Sequence, residues 1–90
     1  MENKKQEIAL AEFPGCFLTY ATMESSKIFV ITYVFVDPKF RGQGVGKKLT
    51  EQGVLLAAKM GYQLGATCSY AKSCILRNEE WKNNWVNVVQ

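Results

Sequence analysis

Residues 28–36, IFVITYVFV, are β-branched or aromatic throughout, and a long helical pattern begins soon after them at Gly44. The run has the composition of a central strand covered on both faces. Asp37 and Pro38 end it. Over 44–60, Val45, Leu49, Gly53, Leu56 and Met60 fall on one side at helical spacing, and Gly61 stops the helix as a C-terminal cap. A further β-compatible stretch, 63–70 (QLGATCSY), follows at once. With a whole helix between them, the two strands should lie parallel, joined by a right-handed crossover.

Upstream, 8–12 (IALAE) and 17–21 (FLTYA) read as strands around a turn at FPGC, and the polar MESSK makes a second turn. Short connections of this kind predict an antiparallel meander running into the strand at 28–36. Downstream, 71–77 reads as a short helix. In the tail, Trp81 and Trp85 stand four apart, a spacing that would put both on one helical face packed back onto the sheet. The expected fold class is α/β (α+β): a mixed sheet, antiparallel meander first, then a parallel β-α-β crossover, then a short C-terminal helix. A chain of this length buries roughly 60–65% of its unfolded surface, so residues 1–90 are read as one domain.

The connection between the third strand and the long helix is FRGQGVGKK, with Gly42, Gly44 and Gly46 at alternate positions between Arg41 and Lys47–Lys48. A surface turn needs one glycine or two. A helix start leaves backbone N–H groups without partners and carries about half a positive charge, which makes an anion site. Gly44 and Gly46 have no side chain to hold a phosphate off those groups, while Arg41 and Lys47 add charge. Two known phosphate loops do not fit. The P-loop needs Ser or Thr after its Gly-Lys, and Lys48 stands there; the dinucleotide fingerprint needs a third glycine where Lys47 or Leu49 stands.

The charge balance is mild: 11 basic and 8 acidic residues give +3. That suits a local phosphate site better than a nucleic-acid face, so no nucleic-acid partner is expected. Cys16, Cys68 and Cys74 are an odd set with no Cys-x-x-Cys spacing, and the chain has no histidine, so no metal is expected. Thiols of this kind, with the polar opening MENKKQE, point to the cytoplasm. No apolar run approaches the ~20 residues of a bilayer span, and no membrane association is expected.

Arg41-Gly42-Gln43-Gly44-Val45-Gly46 resembles the Arg/Gln-x-x-Gly-x-Gly/Ala signature of the GNAT superfamily of acetyl-CoA-dependent N-acetyltransferases. With LTY at 18–20 and CSYAK at 68–72, the chain looks most like a small, stripped-down GNAT subgroup over roughly 17–81. The resemblance implies acetyl-CoA as cosubstrate and a small-molecule or protein amine as acceptor. It implies that backbone N–H groups from Gln43 through Val45 to Gly46 hold the CoA pyrophosphate, with Arg41 and Lys47 adding charge. It implies that Val36 pairs through its main chain with the pantetheine arm, which enters where the third and fourth strands part. Cys68 and Tyr70 would then stand near the thioester. Where the subgroup often has His-Thr, this chain has Tyr33-Val34, so a histidine base is impossible.

Cys68 is the expected participant, as acyl acceptor, proton acceptor or lining residue; a buried cysteine in a strand is equally well a small hydrophobe. Tyr70 could protonate the leaving thiolate or simply pack. The reading from a different class is a non-catalytic CoA-binding module that regulates or interacts. Oligomeric state is left open by the sequence.

Overall fold

Four strands form one sheet in the spatial order β1 (Gln6–Ala9), β2 (Phe17–Met23), β3 (Ile28–Phe35) and β4 (Gln63–Ala66). The structure, a computed structural model, describes residues 6–87. β1–β2 and β2–β3 are antiparallel; β3–β4 is parallel, with α1 (Val45–Met60) as the crossover. A 3₁₀ turn (Pro38–Phe40) precedes α1, and α2 (Ser69–Leu76) and α3 (Glu79–Lys82) follow β4. The meander, the crossover and the helical C-terminal part are therefore as the sequence implies.

The core lies between α1 and the sheet. Leu18, Phe29, Ile31 and Leu49 are fully buried there, each stabilising the fold by about 1.5–3 kcal/mol. The buried side of α1 runs through Val45, Leu49, Gly53 and Ala57; Leu56 is half-buried and Met60 exposed, so the stripe turns one residue away from the expected line at its end. Gly53 lets the helix approach closely, since a β-carbon there would stand 3.3 Å from Ile31 Cδ1. Gly61, at φ 74°, ends α1 with its N–H on the carbonyls of Ala57 and Ala58, the expected cap.

β3 is not covered on both faces along its whole length. The register steps from Thr19↔Tyr33 to Tyr20↔Ile31, leaving Thr32 as an extra residue, with its hydroxyl 2.7 Å from that of Thr19. This bulge changes which face each side chain takes. Phe29 and Ile31 point into the core, but past the bulge Val34 takes that side. Tyr33 and Phe35 instead join Phe17 in an aromatic cluster, with ring centroids 6.1 and 5.5 Å from that of Phe17. Tyr33 is half exposed as a result.

Other boundaries differ from expectation for local reasons. β1 ends at Ala9 rather than continuing to Glu12, because Leu10 accepts from Phe13 N–H at 3.0 Å and turns the chain. The fourth strand ends at Ala66, not Tyr70: the N–H groups of Thr67 and Cys68 both reach the Ile31 carbonyl, at 3.0 and 3.4 Å. Cys68 then becomes the N-cap of α2, whose buried residues Ala71, Cys74 and Ile75 follow helical spacing. Cys68 and Tyr70 are thus on a cap and a first helical turn rather than a strand. The two tryptophans do not share a helical face either. Trp81 belongs to α3, started by Asn78 Oδ1 accepting from Glu80 and Trp81 N–H at 3.0 and 3.1 Å. Trp85 lies beyond it in a parallel bridge to Leu64, where Leu64 N–H reaches Asn84 O and Val86 N–H reaches Leu64 O, both at 2.9 Å.

Candidate active-site cleft

Because β4 stops at Ala66, its last pair with β3 is Ile31↔Ala66, and among the described residues β3 runs on without a neighbour on that side. The main chain beyond Ile31 therefore presents an unengaged edge. α1 begins opposite this edge. Between them lies a cleft of about 470 Å³, a size suited to a small-molecule ligand. It is lined by Tyr33 to Phe35 of β3 and by Val36 just after it, by Gly44, Val45 and Gly46 at the helix start, and by Phe40, Arg41, Gly42 and Tyr70.

The start of α1 is electrostatically unusual. The first helical bond runs from Lys48 N–H to the Gly44 carbonyl at 3.1 Å, so the N–H groups of Val45, Gly46 and Lys47 precede it. Gly44 takes the N-cap position at φ 73° and offers no side-chain oxygen, and no acid stands in the first turn. Helices ordinarily have a Ser, Thr, Asp or Asn cap and first-turn carboxylates. Here the turn carries Lys47 and Lys48 instead, with Lys48 Nζ lying over the Phe13 ring at 5.3 Å. Three donors, a dipole end and nearby cations make this a place where an anion would be favoured.

Tyr70 is brought to the same place by packing. A β-carbon on Gly46 would stand 2.6 Å from the Tyr70 hydroxyl and 2.9 Å from two ring carbons, so Gly46 is the residue that leaves the ring its position. Burial pushes the phenol above its ordinary 10.0; Cys74 beside it adds to the shift and Arg77 works against it. Tyr70 is therefore a protonated donor throughout the neutral range.

Of the residues singled out in the sequence, Val36, Arg41, Gly42, Gly44, Val45, Gly46 and Tyr70 come together on the cleft. Gln43 is exposed and is not on its walls. Lys47 lines a neighbouring pocket, and Cys68, half-buried against the core, lines neither. Tyr33, Phe35 and Phe40 were not anticipated as cleft residues. Phe40 is positioned by Phe13, ring edge to face at 5.3 Å and 80°. Among the described residues, no group of three or more His, Cys, Asp or Glu side chains could hold a metal ion, and no helix is long and apolar enough to cross a membrane.

No curated protein matches the chain. Among solved structures, the solution structure of a GCN5-like putative N-acetyltransferase from Staphylococcus aureus is 21% identical, with a TM-score of 0.70 over 99% of this chain and 89% of that one. The crystal structure of nourseothricin acetyltransferase is 24% identical, with a TM-score of 0.50 over 54% of this chain. This chain spans 29% of that enzyme's length. At such identities the likeness is one of fold. A sequence model of the GCN5-related N-acetyltransferases matches residues 4–84, from before β1 to the tail beside β4. The chain belongs to the GCN5-related N-acetyltransferase family.

Proposed function

We propose that this chain binds acetyl-CoA and transfers its acetyl group to an amine. The observation that carries the reading is the uncapped, carboxylate-free start of α1 opening onto a cleft whose other wall is an unpaired strand edge. The diphosphate would be held by the N–H groups of Val45, Gly46 and Lys47, with Arg41 as a forked partner. The main chain at Val36 would hydrogen-bond the pantetheine amide as an added strand does. Bound there, acetyl-CoA supplies an activated acetyl thioester.

The amine nitrogen bonds to the acetyl carbon, the C–S bond breaks, and its electron pair goes to sulfur. Tyr70 gives that sulfur its phenolic proton and recovers one from solvent. The amine loses its proton to water, because among the described residues no carboxylate lines the cleft and the chain has no histidine. Cys68, off the cleft walls, takes no part in this route. The acceptor is a small-molecule or protein amine, and the setting is the cytoplasm, where Cys16, Cys68 and Cys74 stay reduced.

The missing base also favours a second reading, a CoA-binding module without turnover. Incubation with acetyl-CoA and a panel of amines separates the two. Acetylated amine and free CoA thiol in equal amounts, dependent on folded protein, are expected. CoA binding by calorimetry with no acetylated amine at any pH would leave only the binding module.

A further inference from the structure

A smaller pocket of about 250 Å³ lies in the crease between α1 and α2, lined by Lys47, Cys74, Arg77 and Asn78. It adjoins the cleft. Gly46 and Tyr70 line the cleft; Lys47 is the next residue after Gly46, and Cys74 follows Tyr70 by one helical turn. Tyr70, whose ring lies close over Gly46, therefore stands one residue and one helical turn from residues that line the smaller pocket.

Its lining offers donors. Lys47 and Arg77 come from different helices and point to one pocket without a carboxylate between them. Among the described residues the ion pair is Lys82 with Glu79, which involves neither. Among the described residues the Arg77 guanidinium has one hydrogen-bond contact, at 3.5 Å to Ser73 Oγ. Asn78 Oδ1 already accepts from Glu80 and Trp81 N–H, which leaves its amide NH₂ as the available function. Arg77, as the C-cap of α2, complements that helix's dipole, but Lys47 in the first turn of α1 opposes its own. A second anion beside the one at the helix start would relieve that repulsion. Two cations and an amide in so small a space match the several acceptor oxygens of a phosphomonoester.

Resting on the reading that the diphosphate sits at the start of α1, we propose that the pocket of Lys47, Arg77 and Asn78 takes the 3′-phosphate on the ribose of CoA. The chain then selects CoA over its dephosphorylated form by a site separate from the glycine loop. Arg77 is the diagnostic residue, since it is exposed, lies outside the cleft, and can be changed without touching the helix start.

Calorimetry with CoA and 3′-dephospho-CoA tests the assignment, with circular dichroism confirming the fold of each protein. The parent should bind CoA about tenfold more tightly than dephospho-CoA, as one or two charge-assisted bonds imply. Arg77→Gln should bring CoA to the dephospho-CoA level and leave dephospho-CoA within about twofold of the parent. Lys47→Gln should weaken both ligands, CoA more. Equal parental affinities for the two ligands overturn the proposal, as does an Arg77→Gln variant that weakens both equally. If neither ligand binds the folded parent, the CoA reading itself fails, and that result is distinct from equal binding.

Discussion

The hydroxyl of Tyr70 lies 2.6 Å from the point where a β-carbon on Gly46 would stand, so one position on each helix competes for a single volume. Tyr70 is 46% exposed and can swing outward, so Gly46→Ala should leave the protein folded and its melting temperature nearly unchanged. Transfer should nonetheless fall about 100-fold, the scale of one general acid. Tyr70→Phe should fall equally, and the double variant should be no worse than either single one. Additive losses in the kinetic cycle would mean that the two residues act separately.

Gly44→Val addresses the anion directly. Apart from its chain neighbours, no described residue comes within 4 Å of a β-carbon at Gly44, so a side chain there would project into the open space beside the helix start, where the diphosphate is proposed to sit. The residue also sits at φ 73°, which adds about 1–2 kcal/mol of backbone strain. The expected result is a folded, somewhat less stable protein whose affinity for CoA is reduced at least tenfold, read by calorimetry beside a thermal melt. Unchanged affinity would remove the glycine loop from the binding site.

A reaction without a protein base has a recognisable pH profile. An alkylammonium with a pKa near ~10.4 is almost wholly protonated at pH 7, so transfer to such an amine at low concentration should rise about tenfold per pH unit between roughly 6 and 9. Tyr70 imposes no fall in that window: its raised pKa keeps the proton-donating form present until pH has passed the ordinary tyrosine value of 10.0. A plateau reached near neutrality would reveal a titrating base and contradict the proton going to water.

Cys68 distinguishes direct transfer from an acyl-enzyme. Under direct transfer, Cys68→Ser should turn over within about twofold of the parent, as expected for a residue outside the reacting centre. An acyl-enzyme would instead appear as one acetyl group on Cys68 by intact mass, removable with hydroxylamine, and Cys68→Ser would lose both adduct and turnover. Cys16→Ser and Cys74→Ser serve as the comparison.

The elements that were legible in the sequence are those whose signals are local. The all β-branched and aromatic run gave away β3, the Gly44-to-Gly61 bracket gave away α1, and the alternate glycines marked the helix start that faces the cleft. The end of β4 was not legible. Its successor α2 starts at Cys68 with no side-chain cap; the cap formers Thr67 and Ser69 flank that position without occupying it, and TCSY reads as continued strand. The bulge at Thr32 was equally hidden, since it depends on register with β2, and it is what turns Tyr33 and Phe35 onto their face. The start of α3 did have a signature, Asn78 followed by Glu79 and Glu80, the pattern of a capped helix with a complemented dipole.

The bridge between Trp85 and Leu64 bears on how molecules of this protein meet one another. Sheet margins are where chains recruit their own kind, strand to strand. At one margin β1 is only four residues long; at the other, Asn84 and Val86 already occupy the main chain of Leu64. Among the described residues, the stretch of β3 beyond Ile31, which lines the cleft, has no partner on the β4 side. The backbone proposed to grip the pantetheine arm is thus also a strand edge of the kind that another chain can pair with, and a ligand lying along it would cover that edge.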